Sequence, residues 1–167
     1  MNTGQMMLSI AALGLLAFIF LNSNKTNLET IDSVGTSKGI ITANSLALSL
    51  LDEISTKAYD EVTIAGPSII SANDFSSSLQ PEGESYPNFD DVDDYNNFTK
   101  IENVREIGNF KLKVKVEYIT DNLQKTSLKT YNKNVTVTVK GTALKNQTTG
   151  KEDSLVVSEV LSQWKML

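Results

Sequence analysis

The chain has 167 residues, 40% hydrophobic and 21% charged, with a formal net charge of −5. That size suits one modest domain plus an appendage, and the acidic balance argues against a nucleic-acid partner, which calls for a basic face. Cysteine and histidine are both absent, which excludes a disulfide framework, a thiolate metal site and a serine–histidine–aspartate triad, so no catalytic residue is expected.

The charges are unevenly placed along the chain. None precedes Lys25, and Met6 to Leu21 reads MMLSIAALGLLAFIFL, sixteen residues in which Ser9 and Gly14 interrupt the apolar run. As a helix this stretch spans about 24 Å, or about 30 Å with its uncharged flanks, enough to hold a chain in a bilayer. Three readings compete. A cleavable secretory signal needs a basic start and a small-x-small cleavage site, and neither Met1 to Gln5 nor Asn22 to Lys25 supplies them. The others are a plain signal anchor, and a helix that sits in the membrane and later packs against copies of itself.

From Ile40 the apolar residues Ile40, Ala43, Ala47, Leu51, Ile54 and Ala58 recur every three or four positions, one face of an amphipathic helix. Leu46, Leu48 and Leu50 widen that face, while Asp52, Glu53, Lys57 and Asp60 lie off it. Leu28 and Ile31 carry the pattern upstream, and Gly35 and Gly39 are expected to loosen or bend the helix. The alternative is two separate helices joined by a soft segment. The expected division is therefore an apolar helix over 1–24, an amphipathic helix over 25–61 and a β-sheet head over 62–167.

After Glu61 the period changes. Val62 to Ile64 reads as a short strand and the serine-rich stretch Ser71 to Tyr86 as a surface loop. In Phe110 to Tyr118, FKLKVKVEY, alternation puts Phe110, Leu112, Val114, Val116 and Tyr118 on one face and Lys111, Lys113, Lys115 and Glu117 on the other. Asn134 to Lys140 repeats this with Val135, Val137 and Val139 inward. Asn146 to Asp153 reads as a polar loop. Leu155 to Trp164 suits a strand better than a short helix. The sum is an α+β fold, with a long N-terminal helix whose second half covers one face of an antiparallel sheet. The first half then projects uncovered. In water that costs on the order of ten kcal/mol, so a membrane or neighbouring copies must shelter it. Ala11, Ala12 and Gly14 suit close helix–helix approach.

Asp90, Asp91, Asp93 and Asp94 form the densest acidic cluster. Oxygen ligands at this density suit calcium, although the spacing is not that of an EF-hand; the alternative is a solvated loop whose aspartates cap turns. Asn24, Asn97, Asn134 and Asn146 each open an N-x-S/T pattern. The row Lys111, Lys113, Lys115 reads as the wet face of a strand, and Trp164 as core or rim.

Three stretches resemble the type IV pilin superfamily, most closely minor pilins of the mannose-sensitive haemagglutinin type, with type II secretion pseudopilins as a related group. Gln5 to Leu16, QMMLSIAALGLL, looks like the family's N-terminal segment. Leu46 to Glu61, LALSLLDEISTKAYDE, is similar to the helix end of those minor pilins, and Phe89 to Asn96, FDDVDDYN, to their acidic loop before the sheet. The resemblance implies a subunit that waits in the cytoplasmic membrane. Pilus assembly machinery then builds it, with copies of itself or other pilins, into a helical filament at the cell surface. Gln5, Met6, Met7, Leu8, Ile10, Ala11, Leu13, Gly14, Leu15, Leu16, Phe18, Ile19, Phe20 and Leu21 are the assembly residues so implied. Gln5 stands where the family usually carries a glutamate that offsets a neighbour's terminal amine; an amide hydrogen-bonds but brings no charge. Either Met1 is the mature first residue, or Gly4 ends a minimal leader and Ser9 takes the glutamate position.

Overall fold

The structure is a computed structural model that describes residues 2–64, 71–145, 149 and 151–165. A single helix, α1 (Thr3–Ser55), takes up 53 residues, a rod about 80 Å long at the standard rise. Helical structure runs unbroken through Gly35 and Gly39, so the alternative of two separate helices joined by a soft segment is corrected. Gly39 serves close packing instead: a Cβ on it would lie 2.7 Å from the carbonyl oxygen of Ala143.

The buried face of α1 is Gly39, Ala43, Ala47, Leu50, Leu51 and Ile54. Small residues come first and large ones last, so the helix lies close to the sheet where it first meets it, at Gly39, and fills a wider gap near its end. Ile40 and Leu48, expected on this face, are about half exposed. The helix stops at Ser55, short of Glu61, because hydroxyl groups take over its last carbonyls: Ser55 Oγ donates to the Asp52 oxygen at 2.9 Å and Thr56 Oγ1 to that of Glu53 at 2.7 Å.

Val62 to Ile64 is not a strand. It forms the short helix α2 (Glu61–Ile64), which Asp60 starts: its carboxylate accepts from the Val62 N–H at 3.3 Å and its carbonyl from the Thr63 N–H at 2.8 Å. Capping overrides the β-branched composition at this point. The loop that follows carries a 3-10 turn over Ala72–Asp74, closed by a capping box between Ser71 and Asp74.

Four strands complete the head: β1 (Thr99–Val104), β2 (Gly108–Tyr118), β3 (Asn132–Lys145) and β4 (Glu152–Ser162). They form an antiparallel meander in the order β1-β2-β3-β4. Leu112 faces Val139, Val114 faces Val137 and Val116 faces Val135 across β2 and β3. These six side chains are buried beneath α1 with Leu50, Leu51 and Ile54. Strand β1 was not anticipated, and β4 begins within the segment expected to be a polar loop. Phe110 is paired with Gly141, and its ring occupies the space a side chain there would need, 2.7 Å from a built Cβ.

Candidate functional site

The first candidate is the free part of α1. Met6 to Leu21 is exposed on every side: Met6 is 49% exposed, Leu8 75% and Phe18 70%. All of the sequence-derived assembly residues, Gln5 and Gly14 included, lie on this one projecting rod and none is buried by the head. The helix is long and apolar enough to cross a membrane. Ser9, the polar residue in the run, donates its hydroxyl to the Gln5 carbonyl at 2.9 Å and so leaves no unmet donor in an apolar setting. A Cβ on Gly14 would meet nothing within 4 Å, so the monomer itself makes no demand for glycine there. From Lys25 the surface turns polar, and Lys25 and Glu29 approach to 3.9 Å one turn apart.

The second candidate, the acidic loop, divides its four aspartates among different tasks. Asp91 Oδ1 accepts from the backbone N–H groups of Asp93 at 2.7 Å and Asp94 at 3.1 Å. Asp94 Oδ2 accepts from those of Asp90 at 3.1 Å and Asp91 at 3.3 Å. This is the turn-capping alternative. Asp93 points inward and does not join them. Among the described residues, the carboxylates that converge are Glu84, Asp90 and Asp94, with oxygens within 4.8 Å of one another. Asp91 and Asp93 lie outside that group, so the four aspartates suggested as calcium ligands do not share one focus. Desolvation, then the neighbouring Asp94 and Asp90, raise the Glu84 carboxyl above its ordinary value.

The third feature was missed in the sequence. Lys133, at the start of β3, is fully buried, and so are Asp60 and Asp93 beside it. Its Nζ lies 2.7 Å from Asp93 Oδ1 and 3.2 Å from Asp60 Oδ2, and donates to the Tyr59 carbonyl at 2.6 Å. The Tyr59 and Tyr118 rings flank it, with centroids 4.3 and 5.3 Å away. The chain after α1 is pinned here by a parallel bridge: the Ala58 N–H donates to the Asp90 carbonyl and the Val92 N–H to that of Ala58, both at 3.0 Å.

The two carboxyls beside Lys133 differ. Asp60 accepts from the Ser76 N–H at 3.1 Å, the Ser76 hydroxyl at 2.9 Å and the Tyr118 hydroxyl at 3.3 Å. Burial works against its charge, but Lys133 and the Ser76 donors outweigh burial and hold it below the ordinary range. Asp93 has no hydrogen-bond donor to either oxygen among the described residues apart from the Lys133 contact. Burial pushes its carboxyl up to about 8, against the pull of Lys133 and with Asp91 and Asp60 adding to the rise. Asp91 is likewise pushed up by burial, to about 6. One ammonium cannot balance Asp60, Asp91 and Asp93 together at low dielectric, so a proton settles on Asp93, which has no donor but Lys133 among the described residues. Alternation would have found the lysine: Lys133 is in phase with Val135, Val137 and Val139.

The remaining candidates are plain. Lys111, Lys113 and Lys115 form the expected wet face of β2, with Lys115 paired to Glu117 at 2.9 Å. Trp164 is 70% exposed and lies against Tyr131, a rim residue. Asn24 and Asn97 are exposed, Asn134 donates to Thr136 Oγ1 within β3, and Asn146 lies outside the described residues. Compared with known proteins, the chain matches no family model, no curated protein and no solved structure.

Proposed function

We propose that the chain is a non-catalytic structural subunit of a type IV pilus-like extracellular filament, polymerising through its N-terminal apolar helix. One observation carries the reading. The same helix that completes the head's core with Ala43, Ala47 and Ile54 leaves Met6 to Leu21 exposed all round. A helix apolar on every side needs an apolar surrounding. The cytoplasmic membrane supplies it before assembly, and copies of the chain, or other pilins, supply it afterwards. Gly14, with open space around it, lets a neighbouring helix approach closely. The likeness of Gln5 to Leu16, Leu46 to Glu61 and Phe89 to Asn96 to pilin segments supports the same reading.

The test is to shear surface filaments from cells that make the protein and identify their subunits by mass spectrometry, N-terminus included. Recovery of the chain with Met6 to Leu21 attached is the expected result. Finding it solely as a free monomer that begins beyond Leu21 would end the filament reading.

A further inference from the structure

We infer that Lys133 and Asp93 are the partners of a self-formed covalent cross-link, a side-chain amide between Lys133 Nζ and Asp93 Cγ, with Asp60 as the group that moves the protons. The inference goes beyond the filament reading and does not depend on it.

Three features of the site support it together. The amine and the carboxyl are already in contact, 2.7 Å from Nζ to Oδ1, and both side chains are sealed from solvent. Water, which would reverse the reaction, is therefore excluded, and the low-dielectric surroundings favour replacing charged groups by a neutral amide. Next, the two carboxyls are chemically distinct. Asp60 is held as the carboxylate by Ser76 and Tyr118, whereas Asp93 has no such donors among the described residues and is kept as the acid. An acid is the electrophile that an amine attacks, and a carboxylate 3.2 Å from the same amine is the base that frees it. Lastly, the amine is aimed. The Tyr59 carbonyl takes one Nζ hydrogen at 2.6 Å and the Tyr59 and Tyr118 rings close its other sides.

The step balances without any co-reactant. Asp60 takes one proton from the ammonium. The neutral amine adds to Cγ of Asp93. Asp60 then gives its proton to the departing Asp93 hydroxyl and takes the amine's second proton in its place. One N–C bond forms, one C–O bond breaks, and one water leaves carrying the first proton taken from the nitrogen; the second stays on Asp60, which ends as the acid.

The experiment is mass spectrometry of the full-length chain, purified in detergent and denatured before measurement. The chain is expected to be lighter than its sequence by one water, about 18 Da, after any N-terminal processing is accounted for. A tryptic digest should show no cleavage after Lys133 and a branched peptide joining the segments of Lys133 and Asp93. Asp60→Ala should restore the full mass. Asp93→Asn should lose ammonia, about 17 Da, in place of water. Recovery of both peptides unlinked from the unmodified chain, or a water loss mapped to another site, overturns the inference. A branched peptide that persists at full yield in Asp60→Ala overturns the role given to Asp60.

Discussion

Gly39 of α1 and Ala143 of β3 meet with no side chain between them: a Cβ on Gly39 would lie 2.7 Å from the Ala143 oxygen and 2.9 Å from its Cβ. The contact fixes the point at which the rod leaves the sheet, since every residue from Asn2 to Lys38 is at most partly covered.

This contact separates glycines that look alike in sequence. Gly39→Val should destabilise the head by about 1–3 kcal/mol, because backbone must move to admit the side chain. Gly35→Ala, with nothing within 4 Å, should leave the head unchanged and favour the helix by about 1 kcal/mol. Thermal denaturation followed by circular dichroism checks both, and equal effects at the two positions would refute the assignment.

Gly14→Leu should leave the head's melting point and the membrane location unchanged while abolishing recovery of the protein in sheared filaments. The monomer has room for the side chain, so any loss must arise between molecules. Normal localisation and normal function with the bulky residue would favour an anchored module that never polymerises.

Lys133→Met should cost the head about 3–5 kcal/mol, because the Asp60 carboxylate is left buried without its cationic partner and Asp93 without its one contact among the described residues. Lys113→Met, on the wet face of β2, should change stability by less than about 0.5 kcal/mol. Urea titration of the two variants gives the comparison.

Asp91 predicts a pH dependence. Burial raises its folded value to about 6, above that of the unfolded chain, so the folded state holds the extra proton. Its contribution is complete below the unfolded value and declines as pH rises through the interval up to about 6. Asp91→Asn should flatten that part of the stability curve, because the amide oxygen can still accept from the Asp93 and Asp94 N–H groups. If Asp93 stays a free acid it adds a second decline, extending to about 8. The cross-linked chain lacks that second decline. Denaturation at a series of pH values, on wild type and Asp91→Asn, measures both.

The parts of the fold that could be read in advance are those where one side faces the core and the other faces water. Phe110 to Tyr118 alternates cleanly because Lys111, Lys113 and Lys115 are wet while Leu112, Val114 and Val116 are covered. Strand β1 escaped notice because its pattern is inverted. Ile101 points outward and is 69% exposed, while Lys100 and Glu102 sit half-buried and paired at 2.8 Å on the inner side. Its place follows from its register with β2, Lys100 opposite Leu112, a long-range relation that local composition does not encode. The projecting segment was legible from the run of apolar residues and the missing charges. The buried cluster was not, because Asp60, Asp93 and Lys133 come from three separate parts of the chain and meet only in the folded head.

The continuity of α1 has a mechanical meaning. With no break between Ser9 and Ile54, tension applied to the tail travels straight down the rod into the seat formed by Ala43, Ala47 and Ile54. There it is resisted as sliding of a packed helix along the sheet, which strains all those contacts together, instead of as peeling, which would open them one by one. A head seated on its helix this way would yield late and all at once.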